Sequence, residues 1–281
     1  MKKGLILEGG ALRGLFSAGV IDVMMENNIT YDGLIGVSAG AAFGCNYKSK
    51  QIGRVIRYNM RFCNNPRYCG LHSLLTSGNI YNTDFAYGEV PLVHDPFDFD
   101  TYKSNPMDFY VVCTDIESGK PIYHKYLGYD DHGFDWIRAS ASMPIVSKIV
   151  EIDNLKLLDG GISDSIPLKK FEEMGYEKNV LVLTRPYDYI KKKNALLPLM
   201  KLIYKDYPKM IEAMERRHID YNETLSYINK LENEGKIFVI RPKESIKIKK
   251  VEKDPSKLKE VYNIGRDTAL SIIDDLKSFL K

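Results

Sequence analysis

A Gly-x-Ser-x-Gly motif is the clearest chemical signal in the sequence, and it reads Gly36-Val37-Ser38-Ala39-Gly40. It lies between an apolar segment typical of a strand and a segment of small residues typical of a helix. Small residues two before and two after the serine allow a sharp turn that exposes the hydroxyl, and the following helix directs its positive end at that oxygen. A serine that only caps the helix is the competing interpretation, but a cap requires neither glycine. The motif therefore predicts a nucleophilic serine.

A glycine-rich turn, Gly9-Gly10-Ala11-Leu12-Arg13-Gly14, follows the first predicted strand. Such a turn can point backbone N–H groups into a cavity, where they bind an anion or an oxyanion. A dinucleotide-binding turn is one alternative, but Ala11 replaces its middle glycine, and the acidic residue Asp32 precedes the second strand instead of ending it. A tight turn with no ligand is the other alternative.

The third motif, Leu157-Leu158-Asp159-Gly160-Gly161, places a carboxylate at the end of a predicted strand. By itself it is typical of a turn aspartate, but Ser38 needs a base. A Ser-His-Asp triad in the α/β-hydrolase order requires a histidine after the acid, and only His218 follows, in a charged segment that we expect to be solvated. The remaining histidines lie between Ser38 and Asp159 and have no motif around them: His72, His94, His124 and His132. A direct serine–aspartate dyad fits the sequence better than a triad.

A carboxylate is a weak base for an alcohol, because an ordinary aspartate has a pKa of about 3.9. We therefore expect burial to raise the pKa of Asp159. The helix after Ser38 and the N–H groups of the glycine turn would stabilise the negative charge that forms on attack. Such a dyad suits activated acyl donors, such as esters and thioesters, better than amides.

The order of the predicted elements places these motifs on an α/β fold. The 281 residues are 44% hydrophobic and 27% charged, as in globular proteins. Alternating strand and helix patterns predict a mostly parallel central sheet flanked by helices on both faces. Predicted strands cover 3–8, 33–37, 109–113, 145–152, 155–158, 179–184 and 237–240; predicted helices cover 13–26, 39–47, 51–62 and 166–174. Residues 63–108 are rich in turn formers and predict long loops around a site.

Charge divides the chain into two regions. The formal net charge of +3 combines −4 for residues 1–190 with +7 for residues 191–281. We predict a catalytic domain over 1–190 and a basic, mainly helical region over 191–281 that packs on it. Acidic residues are interleaved with the basic ones, and stacking aromatics in a base-reading pattern are absent, so nucleic acid is not an expected partner.

The sequence shows neither a transmembrane segment nor a secretion signal, which predicts a cytoplasmic protein. Four cysteines without metal-ligand or disulfide spacing predict reduced thiols, namely Cys45, Cys63, Cys69 and Cys113. No metal and no organic cofactor is expected, because no acidic run resembles a calcium loop and no Cys/His pattern resembles a zinc site.

Taken together, the three motifs resemble those of the patatin-like phospholipase family. In that family a glycine-rich oxyanion loop follows the first strand, a Gly-x-Ser-x-Gly motif follows the second, and an Asp-Gly-Gly or Asp-Gly-Ala comes later. The segments 138–144 and 159–167 resemble the bacterial branch of the family, and the resemblance covers about residues 3–185. It implies a three-layer patatin-like fold and a serine acyl hydrolase that cleaves lipid or other carboxylic esters through an acyl-Ser38 intermediate.

The resemblance also implies roles for single residues. Ser38 matches the nucleophile and Asp159 the base. Gly9, Gly10 and Ala11 match the oxyanion-hole backbone. Ala11 departs from the commoner glycine, which limits it to ordinary backbone angles unless strain is accepted. Arg13 matches the basic residue of the loop, and it could contact a phospholipid phosphate or form an ion pair that stiffens the loop.

Two alternatives remain open at this point. The first is a non-catalytic regulatory protein of the same fold that holds a phosphate or nucleotide in the glycine turn. The second concerns residues 196–214, where apolar side chains alternate with Lys201, Lys205 and Lys209. This segment fits a helix packed on the protein's own core, which we favour, or a peripheral helix at an anionic membrane. We predict only weak, salt-sensitive binding to anionic vesicles.

Overall fold

The computed structural model describes residues 1–129 and 132–281. Within these residues, eight strands form one sheet in the order β5-β6-β3-β2-β1-β7-β8, and β4 pairs with β3 outside this path. The strands are β1 (Lys2–Leu7), β2 (Gly33–Val37), β3 (Asp108–Asp115), β4 (Pro121–Lys125), β5 (Val150–Ile152), β6 (Leu155–Asp159), β7 (Tyr176–Val182) and β8 (Phe238–Ile240).

Helices precede, connect and follow these strands. They are α1 (Gly14–Glu26), α2 (Ala39–Lys48), α3 (Arg54–Phe62), α4 (Leu71–Ser77), α5 (Phe99–Ser104), α6 (Asp135–Ser140), α7 (Leu168–Glu173), α8 (Leu197–Ile203), α9 (Pro208–Asn233), α10 (Pro255–Ser271) and α11 (Ile273–Phe279). Short 3-10 turns lie at Ala11–Arg13 and Gly160–Ile162, and a π-helical segment spans Asp84–His94.

The predicted α/β fold is confirmed, with a mixed sheet. Five neighbouring strands, β3-β2-β1-β7-β8, run parallel, whereas β4 and β6 pair with β3 in antiparallel fashion and β5 pairs with β6 in the same way. The antiparallel edge includes β4, which the sequence analysis did not predict. The prediction that 63–108 consists of long loops was wrong in part, because this stretch holds α4, the π-helical segment and α5.

Both faces of the sheet are buried, which explains the short continuous apolar runs of its strands. In β1, Leu5 and Leu7 belong to one hydrophobic cluster and Ile6 to another. Alternate residues of a strand point to opposite faces, so each face has its own core. The first core contains α1, α2 and α10, and the second contains α7 and α9.

The C-terminal region is built into the same fold. β8 pairs with β7 in parallel, and α10 packs tightly against α1. A side chain at Gly19 would lie 2.1 Å from the carbonyl oxygen of Tyr262, so the two helices meet backbone to backbone there. The Tyr262 hydroxyl also donates to the Asp22 carboxylate over 2.6 Å. The predicted domain boundary near residue 190 stays a prediction.

The segment 196–214 forms α8 and the start of α9, and it divides its apolar side chains between core and solvent. Five are buried in a third cluster with Ile116, Leu158 and Ile162: Leu197, Met200, Tyr204, Met210 and Met214. Four are exposed: Leu196, Leu199, Leu202 and Ile203. Lys201 pairs with Glu215, and Lys209 pairs with Glu212. Core packing is thus present, and vesicle binding stays a prediction.

In the described part of the chain, no helix combines the length and the apolar character needed to cross a membrane. All four cysteines are buried and carry free thiols.

Candidate active site

Strand pairing brings Ser38 and Asp159 together although 121 positions separate them. Successive residues of β3 have different partners: Val112 pairs with Val37 of β2, and Cys113 pairs with Asp159 of β6. Ser38 directly follows Val37, so it lies beside Asp159. The Ser38 hydroxyl donates to Asp159 Oδ2 over 2.7 Å, and both side chains are buried.

The backbone at Ser38 makes the sharp strand-to-helix turn, with φ 55° and ψ −120°. A positive φ at a residue other than glycine stores strain, and here the flanking glycines make the turn sterically feasible. A Cβ at Gly36 would lie 2.6 Å from the Ala41 nitrogen, and a Cβ at Gly40 would lie 2.2 Å from the Leu7 carbonyl oxygen. The first turn of α2 therefore packs directly on the ends of β1 and β2 and presents Ser38 above them.

The Asp159 carboxylate is held by contacts on each of its oxygens. Oδ2 accepts from Ser38, and Oδ1 accepts from the Gly161 N–H over 2.8 Å. Burial raises the pKa of Asp159 above its ordinary value, while the Ser38 hydrogen bond, the positive charges of Arg217 and Lys191 and the Gly161 N–H act in the opposite direction. A carboxylate with a raised pKa is a stronger base than an ordinary aspartate.

The glycine turn lies against the serine. A Cβ at Gly9 would lie 2.9 Å from Ser38 Cβ, and one at Gly10 would lie 2.8 Å from the Thr184 hydroxyl oxygen. Ala11 adopts φ 47°, so this position accepts the left-handed strain that a glycine would avoid. The glycine turn therefore packs directly against Ser38.

Ser140 is a positioning residue that the sequence analysis missed. Its hydroxyl accepts the backbone N–H of Ser38 over 2.8 Å and donates to the Val112 carbonyl over 2.6 Å. The neighbouring Ser142 carbonyl accepts the Asp159 N–H over 2.8 Å. The stretch around Ser140 thus supports both Ser38 and Asp159. The only sequence signal was the run of small residues in 138–144.

Replacing Ser140 with alanine should destabilise the protein and weaken hydrolysis, since the buried Ser38 N–H would lose its acceptor. An unsatisfied buried N–H costs about 1 to 3 kcal/mol. Thermal unfolding of Ser140→Ala should therefore occur several degrees below that of the wild type. Ser142→Ala is the matched control, because among the contacts of the described residues the Ser142 hydroxyl donates only to the Arg138 carbonyl of the preceding helix α6. Equal melting temperatures for the two variants would contradict the positioning role.

Ser38 lies between two cavities of opposite character, and Ala11 and Met143 also line both. The first has a volume of about 110 Å³. Its walls are mainly apolar and aromatic, contributed by α2, α3 and residues 68–97, and they include Phe43, Tyr58, Tyr68, Tyr87, Val90 and Phe97. The charged residue in this wall, Arg54, pairs with the Asp95 carboxylate and donates to the Asn46 side-chain oxygen and the Asp95 carbonyl. We call this space the apolar cavity.

The second space, which we call the basic cavity, has a volume of about 450 Å³ and is lined by Ser38, Asp159 and the glycine turn. Much of the rest of its wall comes from residues after 184, including Arg185, Lys191, Arg217 and Tyr221. Glu8 also lines it and uses its two carboxylate oxygens to accept from Thr184 and Tyr221.

The expectation that His218 lies in a solvated helix face was wrong. α9 turns this part of its surface toward the site, and His218 lines the basic cavity next to Arg217. Ser38 nevertheless donates directly to Asp159 and not to a histidine. Of the described residues that line either cavity, His218 is the one histidine, so the others lie elsewhere: His72, His94, His124 and His132. Within 1–129 and 132–281, no group of three His, Cys, Asp or Glu side chains is arranged to hold a metal ion.

Comparison with known proteins places this site in a family. The profile of the patatin-like phospholipase family matches residues 5–171, and a domain of unknown function (DUF6363) matches residues 207–281. The uncharacterized protein YjjU of Escherichia coli is 28% identical over 93% of this chain and 74% of its own length.

More distant relatives are much longer. Lysophospholipase nte1 of Aspergillus terreus is 27% identical over 61% of this chain and 11% of its own length, and lysophospholipase NTE1 of Saccharomyces cerevisiae is 24% identical over 94% and 16%. The crystal structure of VipD from Legionella pneumophila superimposes with a TM-score of 0.49 and 13% identity, covering 98% of this chain and 67% of that one. The family profile spans more than half of the chain and contains the glycine turn, Ser38 and Asp159, and the chain therefore belongs to the patatin-like phospholipase family.

Proposed function

We propose that the protein is a serine acyl hydrolase that cleaves a carboxylic ester of a lipid. The observation that carries the proposal is the hydrogen bond of 2.7 Å from the Ser38 hydroxyl to the buried Asp159 carboxylate, at a site between an apolar and a basic cavity. The lysophospholipases among its relatives support a lipid ester as the substrate class.

In the proposed reaction, Ser38 is the nucleophile and Asp159 is the general base. The Ser38 oxygen attacks the ester carbonyl carbon while its proton passes to Asp159 Oδ2, and a tetrahedral oxyanion forms. Asp159 then returns the proton to the departing alcohol, which leaves an acyl-Ser38 ester. Water, deprotonated by the same carboxylate, hydrolyses this ester and regenerates the free serine.

The oxyanion would be stabilised by the backbone N–H groups of Gly9, Gly10 and Ala11. The Ser38 N–H is excluded from this task, because it already donates to Ser140. The strained φ of Ala11 supports the proposal, since a strained backbone is retained where a particular orientation of the N–H is needed.

The acyl chain would occupy the apolar cavity, whose walls are mainly apolar and aromatic and whose charged lining residue, Arg54, is paired with Asp95. At about 110 Å³ it is smaller than the ~150 Å³ cavity that holds benzene in an engineered protein. A short acyl chain therefore fits without rearrangement, and longer chains require the aromatic side chains of 68–97 to move. A butyrate ester is the appropriate first substrate.

A fluorophosphonate probe tests the proposal, because it forms a covalent bond only with an activated serine. We expect stoichiometric labelling, which peptide mass spectrometry places on Ser38, and no labelling of Ser38→Ala. The basic cavity also suits the alternative of a phosphate- or nucleotide-binding regulatory protein. Absence of labelling together with saturable nucleotide binding would favour that alternative.

A further inference from the structure

The basic cavity carries a large excess of positive charge. Seven lysine and arginine side chains line it, against the two acids Glu8 and Asp159. These two carboxylates can offset only part of that charge, and their oxygens already accept hydrogen bonds from neutral donors. Glu8 accepts from Thr184 and Tyr221, and Asp159 accepts from Ser38 and Gly161.

The positive charges are close enough to disfavour one another. Burial lowers the pKa of Lys191 to about 7, and Arg217 is the next largest cause in the same direction. Glu8 acts in the opposite direction, and Arg13 and Arg185 lower the pKa of Lys191 by smaller amounts. Burial and Arg185 also lower the pKa of Arg13. A negatively charged group among these side chains would relieve the repulsion and restore the full charge of Lys191.

Two polar atoms in the wall of the basic cavity also favour a ligand that accepts hydrogen bonds. Arg13 Nε and His218 Nδ1 are buried and have no hydrogen-bond partner within residues 1–129 and 132–281. Buried polar atoms without a partner are rare and costly in folded proteins. Both residues line the basic cavity, so an oxygen-rich ligand in it could accept from them.

The aromatic faces of the wall are already occupied by cations. The Arg185 guanidinium lies 4.3 Å from the Tyr189 ring centre, and Lys191 Nζ lies 4.1 Å from that of Tyr221. A quaternary ammonium group, such as that of a choline headgroup, binds best to a free aromatic face. In the basic cavity, a positively charged choline group would instead lie next to lysine and arginine side chains, which repel it.

We propose that the basic cavity is a subsite for a phosphate on the alcohol side of the ester, and that it selects anionic over choline-bearing substrates. The inference rests on the proposed function, because the cavity becomes a leaving-group site only if Ser38 attacks the ester. The phosphate would lie among Arg13, Lys191 and Arg217, which all line the basic cavity.

The proposal gives the C-terminal region a role in specificity. Arg13 is the single basic lining residue inside the family match of 5–171 in the described chain, and the other six lie beyond it: Arg185, Lys191, Lys192, Lys193, Arg217 and Lys250. Arg217 also donates to the Gly161 carbonyl, which fixes α9 against the turn that follows Asp159.

Matched substrates test the selectivity. The wild-type protein should hydrolyse 1-butanoyl-glycerol 3-phosphate with a kcat/KM about tenfold above that for 1-butanoyl-glycerophosphocholine, as expected for one charge-assisted contact. Lys191→Met should abolish most of this preference. Its backbone contacts with Asn222 do not involve the Lys191 side chain, so the fold is retained. Lys230→Met removes the same charge from an exposed position of α9 and should keep the preference.

A binding measurement separates failure of this inference from failure of the proposed function. Isothermal titration of Ser38→Ala with 1-butanoyl-glycerol 3-phosphate should give binding that the added Lys191→Met change weakens about tenfold. Such binding supports the subsite whatever the turnover of the wild type. Hydrolysis of both esters at equal rates would overturn the subsite and leave the hydrolase intact. Inorganic phosphate that binds Ser38→Ala as tightly as the lipid would identify a free-phosphate site and overturn the leaving-group assignment.

Discussion

Ser38→Ala is expected to lower kcat for hydrolysis of p-nitrophenyl butyrate by several orders of magnitude. No other group can form the acyl intermediate in the proposed mechanism, and loss of a serine nucleophile costs on the order of 10⁶-fold in a serine protease. Release of p-nitrophenol, followed by its absorbance, gives the measurement. The fold should be unchanged, since the side chain loses one hydroxyl that donates to Asp159.

The control for this variant is Ser226→Ala. Ser226 lies exposed on α9 and donates to the Asn222 carbonyl of its own helix. It should keep wild-type turnover. Turnover by Ser38→Ala above a tenth of the wild-type rate would refute the nucleophile assignment.

Asp159→Asn is expected to lower kcat by about 10² to 10⁴-fold, the usual contribution of a general base. Asparagine has the same size and can still accept the Gly161 N–H through its side-chain oxygen, but it cannot take the Ser38 proton.

In the wild type, kcat/KM should fall at acidic pH as Asp159 becomes protonated. Because burial raises the pKa of this carboxyl, the midpoint of that fall should lie above 3.8. A wild-type profile that stays flat down to pH 4 would contradict the assignment.

Asp159→Asn should also increase the free energy of unfolding at neutral pH. A carboxyl whose pKa is higher in the folded than in the unfolded protein binds its proton more tightly when folded, so its ionisation destabilises the fold. The cost is absent below the unfolded pKa of about 3.8 and grows as the pH rises through the folded value. Asp159→Asn removes it, so the variant should melt above the wild type at pH 7.5 and lose this advantage toward pH 4. A lower melting temperature at pH 7.5 would show that ionised Asp159 is a net stabilising group.

The sequence alone predicted the α/β class and the three motifs because both depend on local rules. The alternation of apolar runs with helical periodicity predicted a sheet covered on two faces, and Gly36 and Gly40 predicted a sharp turn because small residues on both sides of Ser38 allow one. The choice of Asp159 over a histidine as the partner of Ser38 also came from the sequence, by the absence of a motif around any histidine.

Only the tertiary structure decided what surrounds Ser38. The antiparallel pairing of β6 with β3 sets Asp159 beside Ser38, and Ser140 reaches the Ser38 N–H from 102 positions away. The sequence pattern predicted that Arg217 and His218 lie on a solvated helix face, whereas in the structure both residues of α9 line the basic cavity. Such contacts depend on how distant elements pack, and periodicity within one element shows which face is polar without showing what that face meets. Burial likewise arises from packing, so the raised pKa of Asp159 and the lowered pKa of Lys191 follow from the neighbours that the fold assembles.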